Sequence, residues 1–267
     1  MSEWQQGFTE LGIHYTRTGG APTGGEKPPL ILAHGFTDNG LCWTRTAQAF
    51  EDDYDVIMPD ARGHGLSPLG EGDYTGERHA DELAALIAEL NLGRPPIVGH
   101  SMGAFNAFAT AAQHPDCVRA IVLVDPPWHI EPEPPDTSDL HKGWRDNVAA
   151  DKQRSDSDLL ARIREEGPNW HEIEITTKFD AIRQVDIRVF ERLTLSRREW
   201  RDVLPEIRCP ALLLWADRGV VTEEVAAAAA ELAPTLTARR IADAGHCIQR
   251  DQFDVFIGAV RDFLGEL

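Results

Sequence analysis

No stretch of the 267 residues approaches the roughly 18 consecutive apolar residues of a membrane-spanning helix. The opening residues, Met1 to Gln6, carry neither a basic cluster nor an apolar run, so they do not read as a secretory signal. Cysteine is scarce. The four thiols, Cys42, Cys117, Cys209 and Cys247, are widely spaced and form no CxxC pair, which excludes a disulfide framework or a zinc ribbon and leaves four reduced thiols as the expectation. Nor do the ten histidines show the i,i+4 or carboxylate-paired spacing of a metal site. Positive charge is in short supply as well. Against 26 basic residues stand 44 acidic ones, a formal net charge of -18. Such a surface repels phosphate backbones and anionic lipids, so neither nucleic acid nor membrane is an expected partner, and strongly anionic substrates are somewhat disfavoured. The expectation is a cytoplasmic protein acting on a small molecule without cofactor or metal.

What the chain does contain is an alternation of short apolar runs with helical patterns. Leu30–Ala33, Val56–Met58, Pro96–Val98, Ile121–Val124 and Ala211–Trp215 are nearly continuous, as strands buried on both faces of a parallel sheet are. Between and after them, Ala80, Leu83, Ala84, Ile87 and Leu90, then Phe253, Phe256, Ile257, Val260, Phe263 and Leu264, keep helical spacing. Strand and helix in alternation predict an α/β fold with a mostly parallel central sheet flanked by helices. Phe8 to Thr18 alternates weakly and reads as an antiparallel edge hairpin. Thr222, followed by Glu223 and Glu224, reads as the N-cap of a helix through Ala226–Ala230.

The alternation stops between Pro127 and about Val203. That segment opens with the proline- and acid-rich Glu131–Asp136, then becomes charged and helix-like, with Trp144, Trp170, Phe179, Phe190 and Trp200 spread through it. A structureless loop of that length is improbable. The expected organisation is a core of residues 1–126 and 204–267 carrying a helical cap insertion, 127–203.

The sharpest local feature is Gly99-His100-Ser101-Met102-Gly103, between the strand ending at Val98 and a helical stretch rich in alanine. G-x-S-x-G in a strand–turn–helix context is the nucleophile-elbow pattern: the serine sits at a strained turn with its hydroxyl clear of the backbone, and glycines keep Cβ atoms out of the turn. A serine hydroxyl needs a base at neutral pH, and His246, in the glycine-containing loop before the last helix, supplies one. The third member must be a carboxylate that orients the imidazole. Asp217 and Asp125 both end apolar strands. Arg218 and Gly219 make a turn that leaves the Asp217 carboxylate free, whereas Pro126 and Pro127 suggest a rigid exit after Asp125, and the expectation is Asp217.

Together these segments make the chain resemble the α/β-hydrolase superfamily almost end to end. His34-Gly35-Phe36-Thr37 is similar to the family's HG oxyanion loop, Asp60-Ala61-Arg62-Gly63-His64-Gly65 to its D-x-R-G-x-G turn, and the order Ser, Asp, His to its triad. The resemblance implies an oxyanion hole made by the backbone N–H groups of Phe36 and Met102. It also implies hydrolysis of a carboxylic ester through an acyl-enzyme on Ser101. Phe36, His100 and Trp128 are candidate substrate contacts, with Trp128 and the cap aromatics as an apolar lid. Lactone hydrolysis is the main alternative. Carbon–carbon bond hydrolysis is a remoter one, since no HGxGPG loop is present. A small-molecule receptor on the same fold and a cofactor-independent oxygenase stay open as other classes. A serine rather than an aspartate at 101 sets the chain apart from haloalkane dehalogenases and epoxide hydrolases.

Overall fold

The computed structural model describes residues 4–19, 27–72, 74–129, 138–194 and 198–267. An antiparallel hairpin, β1 (Gln5–Phe8) and β2 (His14–Arg17), leads into β3 (Pro29–Ala33), helix α1 (Thr44–Phe50) and β4 (Asp55–Pro59). Then come β5 (Tyr74–Thr75), α2 (Gly76–Glu89), β6 (Ile97–His100), α3 (Met102–Gln113) and β7 (Ile121–Val124). Four helices follow: α4 (Ser138–Gln153), α5 (Asp156–Glu166), α6 (Glu172–Gln184) and α7 (Val189–Arg192). After β8 (Leu193–Thr194) and α8 (Trp200–Val203), the chain finishes with β9 (Ala211–Arg218), α9 (Glu223–Leu232), β10 (Leu236–Gly245), α10 (Ile248–Asp251) and α11 (Phe253–Gly265).

Eight strands form one sheet in the order β1-β2-β4-β3-β6-β7-β9-β10. Only the hairpin and its junction with β4 are antiparallel; every pairing from β4 to β10 is parallel. The apolar runs became strands for the expected reason: β4, β6 and β7 are buried at every position. Alternate residues serve opposite faces. Ile31, Ile97, Ile121, Leu123 and Leu213 pack under α2, α3 and α9, while Leu30, Leu32, Val98, Val122, Val124 and Leu214 meet α1 and α11. The alanines of α3 let it lie close on the sheet, with Ala104, Ala107 and Ala111 buried. The Thr222 side chain accepts from the Val225 N–H and caps α9, as expected.

Two expectations shift slightly. The hairpin begins at Gln5 rather than Phe8. Among the described residues, 127–203 add no strand to the central sheet, but β8 pairs with β5 in a separate two-residue parallel ladder. The stretch Glu131–Asp136 lies outside the described residues. No helix among the described residues is long and apolar enough to cross a membrane.

Candidate active site

Ser101 follows β6 directly and precedes α3, with φ 53° and ψ -117°. This is the left-handed side of backbone space, costly for a residue with a Cβ and kept only where its surroundings enforce it. The enforcement is visible. Ser101 N–H donates to Val124 O across the sheet at 2.9 Å. A Cβ on Gly99 would fall 2.1 Å from Gly103 O, and one on Gly103 would fall 2.1 Å from Ala33 O. Both glycines of the motif are therefore packing requirements of the turn. On the neighbouring strand, β3 runs into the HG loop, and a Cβ on Gly35 would sit 2.7 Å from His100 Nδ1 and 3.4 Å from Ser101 Cβ. The loop carrying Phe36 thus lies against the elbow.

His246 is half-buried in the loop between β10 and α10. Its Nδ1 lies 2.5 Å from Asp125 Oδ2. Asp125 itself is fully buried, with φ 45°, and accepts two further bonds, from Val220 N (2.8 Å) and Val221 N (2.9 Å). Gly219 admits this arrangement, since a Cβ there would come within 2.6 Å of Asp125 Oδ1. The carboxylate holds Nδ1 as the protonated nitrogen, which leaves Nε2 to take a proton.

Asp217, expected as the partner of His246, is not there. It is exposed at the end of β9, where Oδ1 accepts from Arg240 Nε (2.6 Å) and Oδ2 from Asp243 N (3.0 Å). The bond from Arg240 holds its carboxyl below the usual range. Asp217 ties β9 to β10, and Asp125, the sequence rival, lies on the histidine. The proline pair after Asp125 did not divert its side chain: on a residue at φ 45°, the carboxylate meets the amides of Val220 and Val221.

His100 braces the site from behind. Its Nε2 donates to His246 O at 2.9 Å, and its ring centre lies 4.6 Å from that of His246. Burial, followed by the neighbouring His246, pushes its pKa well below the ordinary histidine value, so it is neutral. It is 3% exposed, which makes it a support rather than a surface for substrate. Trp128 is also displaced from its expected role. At 1% exposure it stacks on Trp200 (5.0 Å between centres, 10° between planes) and meets Phe108 edge-on in the core under α3. It lines no lid. The ring neighbours of Phe36 include Phe190 (4.9 Å), His64 (5.4 Å), Tyr74 (6.4 Å) and the exposed Trp144 (6.5 Å), two of them from residues 138–192. Met102 joins the same apolar cluster through Tyr74.

Sequence reasoning missed a buried ion cluster on the HG loop. Asp38 accepts from Lys178 of α6 at 2.7 Å and from Arg250 of α10 at 2.6 Å. A signal existed: Lys178 falls on the buried stripe of α6 with Ile175, Ala181 and Ile182, a poor place for a cation without a partner. Among the described residues no group of histidine, cysteine or acidic side chains is arranged to hold a metal. The partly open recess bordered by His34, Asp60, His79, Glu82 and Asn106 measures about 30 Å³, room for a water and not for a substrate.

Residues 28–252 match the model of the alpha/beta hydrolase fold family, and the chain belongs to that family. It is 32% identical to N-formylmaleamate deformylase of Pseudomonas putida over 94% of this chain and 92% of that protein. It is 38% identical to 2-(acetamidomethylene)succinate hydrolase of Mesorhizobium japonicum over a shorter stretch, 41% of this chain and 39% of that one. Among solved structures, a thermophilic esterase from Thermogutta terrifontis superposes with a TM-score of 0.71 at 25% identity, covering 99% of both chains.

Proposed function

We propose that this chain is a serine hydrolase that cleaves an acyl bond of a small molecule through an acyl-enzyme on Ser101. His246 is the general base, Asp125 orients it, and the N–H groups of Phe36 and Met102 receive the oxyanion. The observation that carries this reading is the His246–Asp125 pair at 2.5 Å beside an elbow serine at φ 53°. Ser101 Oγ attacks the carbonyl carbon while its proton passes to His246 Nε2. The tetrahedral oxyanion collapses, and the leaving group departs with that proton. Water then attacks the acyl carbon, His246 takes its proton, and the acid is released as Ser101 recovers its hydrogen. Preorganised amides are effective here because they need no reorientation as charge develops on oxygen; losing one such donor typically costs about 100- to 1,000-fold in rate.

The substrate is a carboxylic ester of small to medium apolar character, with a lactone as the alternative, and residues 127–203 form the cap over it. Phe36 with Trp144 and Phe190 supplies an apolar wall for that role. A second reading has a specific observation behind it. A relative that matches 94% of the chain is named a deformylase of N-formylmaleamate, which favours an acyl–nitrogen bond. One panel decides between them: p-nitrophenyl esters of rising chain length, several lactones, and N-formyl and N-acetyl derivatives of small unsaturated acids, each with wild type and Ser101→Ala. Turnover confined to esters and lactones supports the first reading. A higher kcat/KM for the N-acyl compounds replaces it with the second. Undiminished turnover in Ser101→Ala defeats both.

A further inference from the structure

The Asp38–Lys178–Arg250 cluster takes no part in the steps above, yet it joins three regions that the reaction needs in register. Asp38 belongs to the HG loop. Arg250 stands four residues after His246, on α10. Lys178 comes from α6, inside the segment that interrupts the alternation of strand and helix. All three side chains are buried, at 5%, 2% and 11% exposure. Lys178 also donates to Thr37 Oγ1 at 3.0 Å and to Thr37 O at 3.4 Å. Arg250 lies over the Trp170 ring, 4.8 Å from its centre, so its guanidinium is fixed on a second side.

The loop these groups grip is not at rest. Thr37 is a β-branched residue at φ 65°, a conformation such residues rarely adopt. Four contacts hold it: its N–H donates to His64 Nε2 (3.3 Å), Lys178 binds its carbonyl and hydroxyl, and the following residue closes a turn by Asp38 N–H to Gly35 O (3.1 Å). Phe36, whose amide is assigned to the oxyanion, is bracketed by Gly35 and Thr37. Its peptide plane is therefore set by the residues that the cluster fixes. Stability alone explains the cluster poorly, because apolar side chains of similar volume usually serve a buried site as well as ion pairs do. Burial by itself would raise the Asp38 carboxyl, but Arg250 and then Lys178 outweigh it and hold the group ionised.

We infer that Lys178 and Arg250, paired through Asp38, are positioning residues that lock the Gly35–Asp38 loop so that the Phe36 amide faces the developing oxyanion. This rests on the assignment of Ser101 as nucleophile and of the HG loop as oxyanion donor. It predicts an effect on the chemical step rather than on ground-state binding, since the locked amide matters most when charge reaches the oxygen.

The test is the rate at which Ser101 is phosphonylated by a p-nitrophenyl alkylphosphonate, resolved into a limiting rate and a half-saturation concentration. Peptide mapping of the adduct and a melting curve accompany each variant. Lys178→Met should lower the limiting rate by about 10- to 100-fold, less than outright loss of an oxyanion donor. The half-saturation concentration should stay within about threefold, and Lys178→Arg, which keeps a cation on Asp38, should recover most of the rate. If Lys178→Met folds poorly, Thr37→Val provides the same comparison: it keeps the β-branch, removes the hydroxyl that Lys178 binds, and should slow the limiting step severalfold. Wild type labelled at Ser101, with the folded variants labelled equally fast, overturns the positioning role alone. Wild type with no adduct at Ser101 overturns the nucleophile assignment and this inference with it.

Discussion

Replacing Asp125 with asparagine separates the two strand-end aspartates. The Asp125 carboxylate is fully buried and accepts three hydrogen bonds, from the amides of Val220 and Val221 and from His246 Nδ1. Asparagine offers one acceptor oxygen and two N–H donors in the same space. If its oxygen takes the place of Oδ1 and serves the Val221 N–H, its NH2 faces both His246 and the Val220 N–H and favours the wrong imidazole tautomer. If its oxygen serves the histidine, an N–H points at a backbone N–H. In either case the imidazolium formed during attack has lost its counter-charge. Loss of a triad carboxylate lowers kcat by about 10,000-fold, or about 5.4 kcal/mol of transition-state stabilisation. Asp217→Asn should behave quite differently. It weakens an exposed contact to Arg240 and leaves an oxygen for Asp243 N, so kcat should stay within about threefold of wild type, as for most exposed substitutions. The assay is steady-state turnover of the fastest p-nitrophenyl ester, with circular dichroism to establish that both variants are folded. A folded Asp125→Asn enzyme with near-normal kcat beside an inactive Asp217→Asn enzyme would refute the reasoning.

Two further outcomes follow from burial. Burial pushes His64 and His79 down to about 3, whereas the unfolded chain titrates near 6.5, so between those values the unfolded state binds more protons. Their neutral, buried form therefore stabilises fully above about pH 6.5 and progressively less as pH falls toward 3. Because acidification also relieves the repulsion of a chain at -18, the diagnostic is a difference: the Tm of His79→Gln should fall less steeply from pH 7 to pH 4 than that of wild type, and parallel curves would contradict it. Trp128→Ala empties a fully buried site under α3 and should cost about 3–5 kcal/mol, lowering Tm by roughly 10 °C without altering chain-length preference; a changed preference at unchanged Tm would return Trp128 to the substrate site.

The parts of the fold that could be read in the sequence are those set by local rules. A strand buried on both faces must be apolar along its length, and β3, β4, β6, β7 and β9 announce themselves that way. The elbow is legible because its glycines answer a steric demand within five residues. Asp125 was not separable from Asp217 because both follow apolar strands. Which one meets His246 depends on whether the amides after Gly219 fold back over β7, a long-range fact with only Gly219 as its local trace. Trp128 read as a lid because it follows a strand end, while its true partners, Phe108 and Trp200, lie 20 and 72 residues away in the chain. The ion cluster was hidden for the same reason: Asp38, Lys178 and Arg250 are ordinary charges until tertiary contact joins them.

The central claim is that Ser101 is the residue that becomes acylated. Intact-protein mass spectrometry of the enzyme quenched during turnover of a slow p-nitrophenyl ester, followed by peptide mapping, tests it directly. The account predicts a single acyl adduct on the peptide containing Gly99–Gly103, absent from Ser101→Ala, and longer-lived in a folded Asp125→Asn enzyme relative to its rate of formation only if deacylation is slowed more than acylation. Steady turnover with no adduct under any quench, or an adduct on another residue that persists in Ser101→Ala, would contradict it.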